Sequence, residues 1–202
     1  DLWENVKNNI DGVPEKIWVS RVEASKHSKG RAYVSFDNHR FDDNKPYVFI
    51  TEDYGKTWSN ISSNLPQDYS VYVIKEDYVD ENLLFVGTEK SVYFSNDRGT
   101  TWEQLGSNLP TVAIHDLVIH PRDGDLVAGT HGRSIWILDD ISPLRFLNEK
   151  EDNLLPTRIS TKWVKINTGR KQPYFEFRGE NPPYGTIINY FSTINTEGEL
   201  II

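Results

Sequence analysis

A cluster of turn residues occurs twice in this chain of 202 residues, as TEDYGKTW at 51–58 and as SNDRGTTW at 95–102, forty-four residues later. Both copies place Asp, Gly, Thr and Trp at the same spacing, and both lead into a stretch that ends in Asn-Leu-Pro. A less regular third copy occupies 125–140, and the stretch 2–10 is similar to the one that follows each Trp. A repeat of this length indicates structural units that stack on their neighbours.

Each repeat contains short runs of β-branched and aromatic residues separated by Gly, Asn, Asp and Pro. Such runs predict strands, and four strands in a unit of this length are typical of a β-propeller blade. We therefore expect an all-β fold that contains a partial β-propeller of about three four-stranded blades. The predicted inner strands are 18–25, 71–77 and 113–120, and the predicted outer strands begin at Trp3, Trp58 and Trp102.

The repeated turn residues suggest a structural role. An Asp in a turn accepts hydrogen bonds from nearby amides, a Gly permits positive φ, and a Trp packs between neighbouring sheets. A catalytic or metal-binding role for the repeated Asp is disfavoured because every blade needs the same turn. The residues expected to act in this structural way are Asp53, Gly55, Trp58, Asp97, Gly99 and Trp102.

The pattern S/T-x-D-x-G-x-T-W resembles the Asp-box of sialidase-type, sortilin-type and xyloglucanase-type propellers. The longer strings at 40–58 and 129–147 resemble large exported bacterial proteins of the BNR-repeat, sortilin-like glycosyl hydrolase family. This resemblance implies that 1–147 form the C-terminal blades of a propeller, 148–173 a linker, and 174–202 the first strands of an immunoglobulin-like β-sandwich. It also implies that the remaining blades of a larger protein are partners of this segment, which is then secreted, periplasmic or on the cell surface of a bacterium.

In a four-stranded blade, the loops between the second and third strands lie at the end opposite the box turns. Binding residues concentrate on such loops. The candidate ligand-binding residues from these loops are His39, Arg40, Asp42, Asp43, His131 and Arg133. The inner strands add Arg21, Glu23, His115 and Asp116 as further candidates.

Each candidate also has a structural interpretation. Asp42 and Asp43 suit a general acid and base, but Asp is common in solvated loops for reasons of turn geometry. Arg133 suits a carboxylate or a sugar acid, and equally a salt bridge at the end of a strand. His115 and His120 are five residues apart and point to opposite faces of a regular strand, which disfavours a shared metal ion. No metal or cofactor is expected.

Composition excludes several classes of protein. The net charge of −8 disfavours a nucleic-acid partner, whose phosphates require Lys and Arg. The chain has no Cys, which excludes disulfides and thiol catalysis, and no apolar run is long enough for membrane insertion.

Three functions remain open at this point. The first is recognition of a glycan or peptide at the propeller channel. The second is a sialidase- or xyloglucanase-like glycoside hydrolase whose catalytic carboxylates lie partly outside this segment, and the third is a structural module of an envelope protein.

Overall fold

The structure is a computed structural model that describes residues 3–106, 108–148, 151–160 and 185–193. The chain divides into two compact units, Asp1–Arg145 and Phe146–Ile202. The described residues are mainly strands and loops, and their helical segments are short 3-10 turns at Val6–Asn9, His39–Phe41 and Ser142–Phe146. The fold is therefore all-β, as the repeat predicted.

The first blade is a four-stranded antiparallel sheet in which each strand pairs with the next along the chain. Its strands are β1 (Trp18–Ala24), β2 (Ala32–Asn38), β3 (Asp43–Thr51) and β4 (Ser59–Asn60).

The second blade repeats this arrangement with the same strand order. Its strands are β5 (Val71–Glu76), β6 (Leu84–Thr88), β7 (Val92–Ser95) and β8 (Glu103–Gln104). The outer strands β4 and β8 each begin one residue after the predicted Trp and are only two residues long.

The third blade has three strands, β9 (Ile114–Ile119), β10 (Leu126–Thr130) and β11 (Ile135–Leu138). The inner strand of the second blade, β5, lies between β1 and β9 and contacts both. The three consecutive blades form a partial β-propeller with the inner strands side by side.

The hydrophobic core lies between the blades. One buried cluster joins Tyr33 and Val48 of the first blade to Ile74 of the second. Another joins Phe85 of the second blade to Leu117 of the third. Because the second sheet buries both of its faces against neighbours, β6 and β7 are nearly continuous apolar runs, as expected for a sheet covered on two sides.

The two outward faces of the three-blade stack are apolar but uncovered. Val22 of β1 is 63% exposed, whereas Ile74, at the same position of β5, is fully buried against the first blade. Likewise Ile137 of β11 is 59% exposed, whereas Phe94, at the same position of β7, is 7% exposed. Positions that are buried between blades inside the stack are therefore exposed on the outward faces of the first and third blades.

The prediction of an outer strand at Trp3 is wrong. Trp3 is fully exposed, and residues Val6–Asn9 form a 3-10 turn. The reason is pairing: β4 and β8 each exist through hydrogen bonds to the third strand of their own blade. No strand among the described residues offers that edge to the segment after Trp3.

In the second unit, β12 (Asn153–Leu154) pairs antiparallel with β13 (Tyr190–Phe191). The stretch 148–173, predicted as a linker, contains β12. Most of 174–202, predicted as the start of a β-sandwich, lies outside the described residues, so this domain division stays a prediction.

Candidate functional site

The two box turns, residues 51–58 and 95–102, are closed by their Asp side chains. Asp53 accepts hydrogen bonds from the amide of Thr57 at 2.9 Å and from its hydroxyl at 2.7 Å. Asp97 accepts the equivalent pair from Thr101 at 2.8 and 2.6 Å. The bonds from Thr57 hold the pKa of Asp53 down at about 2. The predicted hydrogen bonding of both Asp residues is confirmed.

The Gly of each box turn lies beneath the tail of the preceding repeat. Gly99 has a φ of +84°, and a Cβ there would lie 2.9 Å from the side chain of Ile61. Gly55 has a φ of +83° and meets Val6 in the same way at 3.3 Å. Val6 and Ile61 occupy equivalent positions of the repeat, so the stretch 3–10 packs like the tail of a blade although it forms no outer strand.

The two box tryptophans differ in burial. Trp102 is 3% exposed, and its indole donates to the carbonyl of Ile61 in the tail of the preceding blade. Trp58 is only half-buried, and its indole donates to Gly55 of its own turn. The expectation that both are largely buried is wrong for Trp58, because it lines the uncovered face of the first blade beside Val22.

In all three blades, the residue after the Asp of the box turn donates a backbone hydrogen bond to the loop between the first and second strands. The amide of Tyr54 donates to Gly30, that of Arg98 to Asn82, and that of Ile141 to Gly124, at 2.9–3.0 Å. The third blade keeps this bond although it has Ser142 at the Gly position. We call this side of the blades the box end and the opposite side, where second strands turn into third strands, the loop end.

Each inner strand carries a β-bulge at the same position near the loop end. The pairing register shifts around Ser20 in β1, Tyr72 in β5 and His115 in β9. A bulge re-aims its side chain out of the regular alternation. Tyr72 is therefore only half-buried, unlike the strand tyrosines of the blade core, and His115 is exposed.

Four rings form a continuous row across the loop end, which we call the ring row: His39, Tyr72, His115 and His131. Tyr72 stacks on His115 with 4.6 Å between ring centroids and 9° between planes. His39 meets Tyr72 edge to face at 6.3 Å, and His131 lies 5.3 Å from His115. The row joins all three blades, since its members come from the first-blade loop, β5, β9 and the third-blade loop.

Three of the predicted candidates are members of the ring row, and the others lie outside it. His39 and His131 stand at the two ends of the ring row, and His115 lies inside it. The guanidinium of Arg40 lies 5.3 Å from the ring centre of the exposed Trp18, while Asp42 and Arg133 are exposed loop residues. The inner-strand candidates Arg21 and Asp116 form an ion pair, and Glu23 pairs with Lys75 at 2.7 Å.

Asp43 is held by its own loop. Its carboxylate accepts hydrogen bonds from Asn38 at 3.0 Å and from the hydroxyl of Tyr47 at 2.8 Å. Burial acts to raise the pKa of Asp43, but the bonds from Asn38, Tyr47 and Lys45 outweigh burial and keep it below its usual value. A carboxylate in this setting stays ionised and is poorly suited to act as a general acid.

Two carboxylates give the centre of the ring row a negative field. Burial raises the pKa of Tyr72 to about 12, with further contributions from Asp37 and Glu89. Asp37 lies 2.7 Å from the imidazole of His39. Glu89 belongs to the second-blade loop, whose backbone amide bonds to Ser70, two residues before Tyr72.

Sequence reasoning missed Tyr72 as a site residue. It predicted a core position because the residue lies in a strand rich in aromatic and β-branched side chains. The bulge that turns Tyr72 outward leaves no local signature in the sequence. A signal did exist in the repeat, since Tyr72 aligns with His115, which was a candidate.

Within the described ranges, no group of three His, Asp or Glu side chains is placed to hold a metal ion. In the same part of the chain, no helix is long and apolar enough to cross a membrane.

Two GH74 enzymes and YCF48 are among the solved structures that superpose on this chain. The GH74 enzyme of Niastella koreensis superposes with a TM-score of 0.50 at 17% identity, over 60% of this chain and 21% of that chain. The GH74 xyloglucanase of Xanthomonas campestris gives 0.49 at 18% identity, over 63% and 21%. YCF48 bound to D1 peptide gives 0.43 at 20% identity, over 61% and 36%. The chain thus spans about a fifth of the two GH74 chains, and at these identities the likeness concerns the fold alone.

No curated protein matches the sequence. The family model of sortilin, neurotensin receptor 3 (Sortilin-Vps10) matches residues 46–181, which is more than half of the 202 residues. The match includes both box turns and the whole of the second and third blades. This chain therefore belongs to the Sortilin-Vps10 family.

Proposed function

We propose that this segment is part of a recognition propeller that binds a glycan or peptide at the loop end of its inner strands. The observation that carries the proposal is the ring row, which joins loops and inner strands of all three blades. Exposed rings combine apolar area with polar edges, and such groups serve binding rather than packing. His39 and His131 act at the ends of the row, with Arg40, Asp42, Asp43 and Arg133 around it.

The box turns have no part in this recognition. Their Asp carboxylates are already occupied by the hydroxyl and amide groups of their own turns. They also lie at the opposite end of strands of about six residues, roughly 17–20 Å from the loop end. No side chain spans that distance.

A glycoside hydrolase is the weaker candidate. It needs a pair of carboxylates about 5–10 Å apart, one of them protonated at working pH. Asp43 keeps a low pKa and is engaged by Asn38 and Tyr47, so the neighbouring pair Asp42 and Asp43 is a poor acid and base. A hydrolase would depend on carboxylates from other blades.

Companion blades are the partners that the uncovered faces require. The apolar positions of β1 and β11 are exposed here but buried at equivalent positions of the second blade. We propose that further blades of the same protein cover both faces. An extracellular or luminal location agrees with the family, and within it we propose a secreted, periplasmic or surface protein of a bacterium.

The test is ligand binding by the whole protein, screened on glycan arrays and peptide libraries. Tyr72→Ala and His131→Ala should each weaken the binding of any ligand found, with folding verified by circular dichroism. Asp97→Asn, at the box end, is the matched control and should leave binding unchanged in folded protein. If only Asp97→Asn lost binding, the ligand site would lie at the box end and not at the loop end. If the screens found no ligand, a structural module would be favoured.

A further inference from the structure

We infer that the centre of the ring row takes a positively charged group, the guanidinium or ammonium of a basic peptide side chain, with Glu89 and Asp37 as counter-charges. This inference rests on the proposed recognition function and names its ligand class. The inference goes beyond that function because the ring row alone would suit a neutral sugar equally well.

Glu89 is the first reason. It is half-buried in the tight loop between β6 and β7, where its amide bonds to Ser70 at 3.0 Å. Its carboxylate makes no hydrogen bond or ion pair within the described part of the chain, and its charge acts on the hydroxyl of Tyr72. A half-buried carboxylate without a counter-charge favours a cation beside it.

The basic side chains that border this region are already engaged. Lys90 follows Glu89 in sequence, but its ammonium lies 4.1 Å from the ring centre of Tyr69 and 3.9 Å from Asp68. Arg21 pairs with Asp116, and Lys75 pairs with Glu23. These cations of the chain are therefore already engaged by its own carboxylates or by another ring.

Asp37 is the second counter-charge. It is mostly buried, and its bonds are to the ring and amide of His39. Asp37 also contributes to the raised pKa of Tyr72, whereas no Lys or Arg acts in the opposite direction there. Arg133 lies in the third-blade loop beyond His131, and like Arg40 and Lys45 it is not among the charges that act on this hydroxyl.

The aromatic ring of Tyr72 is the third reason to expect a cation at this site. A cation within about 6 Å of an aromatic ring centre is attracted by the ring's quadrupole. The described residues make this contact at the surface, with Lys90 on Tyr69 and Arg40 on Trp18. Tyr72 differs from those two rings because no cation among the described residues lies over it.

The test compares two peptides that differ only in charge, acetyl-(Gly-Arg)3-amide and its citrulline counterpart, by calorimetry on the whole protein. The arginine peptide should bind at least about threefold tighter, and Glu89→Gln should remove that preference. Glu103→Gln, on the exposed outer strand β8, is the matched control and should keep it. The control is needed because a net charge of −8 attracts arginine peptides everywhere.

Equal binding of the two peptides, or a preference that survives Glu89→Gln, overturns the inference. If a neutral glycan or acidic peptide binds and Tyr72→Ala weakens it, the inference fails while the proposed recognition function stands. If nothing in the glycan and peptide sets binds, both fail.

Discussion

The hydroxyl of Tyr33 in the first blade donates a 2.8 Å hydrogen bond to the carboxylate of Glu76, which belongs to the inner strand of the second blade and is 2% exposed. The same carboxylate accepts bonds from the hydroxyl of Ser25 and the amide of Lys26. Arg31 stands 3.7 Å away as its counter-charge. One acid of the second blade thus contacts four groups of the first.

Replacing Glu76 should separate the two blades. Glu76→Ala leaves the phenol of Tyr33, the hydroxyl of Ser25 and the amide of Lys26 without their acceptor and removes one of the three carboxylates beside Arg31. We expect a loss of about 3–5 kcal/mol in the free energy of unfolding. Tyr33→Phe removes one bond and should cost about 1–2 kcal/mol. Denaturant titration measures both, with Glu103→Ala as the exposed control. Near-equal stability of Glu76→Ala and wild type would show that the network does not couple the blades.

The box turns should respond to loss of their acceptor. Asp97→Ala removes the partner of the Thr101 amide and hydroxyl and of Ser95. We expect a loss of about 1–3 kcal/mol in the free energy of unfolding, measured by denaturant titration. Full stability in this variant would contradict a structural role for the turn.

Gly99→Ala should be far more damaging than a substitution at another Gly of positive φ. At Gly99, the new methyl group meets both a φ of +84° and the side chain of Ile61 at 2.9 Å. Gly124 has a φ of +68° but no atom within 4 Å, so Gly124→Ala reports the backbone strain alone. We expect an extra cost of about 1–3 kcal/mol at Gly99 from overpacking. Equal melting temperatures for the two variants would rule out the inferred packing of Ile61.

Acid should loosen the box turns through a defined window of pH. The folded pKa of Asp53, about 2, lies below its ordinary value of 3.8. A depressed folded pKa contributes stability that is complete above the unfolded pKa and is lost as the pH falls through the folded one. The difference in melting temperature between wild type and Asp53→Asn should therefore shrink between pH 4 and about 2. A difference that stays constant across that window would refute this linkage.

The uncovered faces predict self-association when this chain is produced without companion blades. Val22 and Ile137 present apolar side chains at opposite ends of the stack, where equivalent positions of the second blade are buried. Sedimentation should show concentration-dependent assembly, and the double variant Val22→Lys, Ile137→Lys should reduce it. A monomer at high concentration in the unsubstituted chain would show that these faces need no cover.

The repeat was sufficient to predict most of the blades, because stacking imposes the same apolar and turn residues on every unit. Inner strands and box turns were located to within a residue or two for this reason. The same reasoning wrongly predicted a strand at Trp3, because a strand also needs a neighbouring strand to pair with, and the local sequence does not show whether one is present. The third blade keeps the bond from Ile141 to Gly124 without the Gly of the pattern, which the motif alone could not show.

The site was less predictable than the blades. Topology brought His39 and His131 to the loop end, but the side chains between them depend on a shift in strand register. Such a shift depends on how neighbouring strands pair, and the pattern of one strand does not encode it. Glu89 was missed as a site residue for a related reason. It lacks a partner among the described residues because the neighbouring Lys90 contacts Tyr69 and Asp68 instead, which the sequence does not show.

The bulge near the start of each inner strand has a consequence for how such a protein diversifies. Ser20, Tyr72 and His115 stand at one position of the repeat, outside the alternation that fills the spaces between blades. A change at that position alters the surface offered to a ligand, although Ser20 also donates a hydrogen bond to Val71 of the second blade and Tyr72 stacks on His115 of the third. Each blade therefore contributes one side chain of the inner strand to the loop-end surface, and a ring of blades can acquire new selectivity one residue at a time.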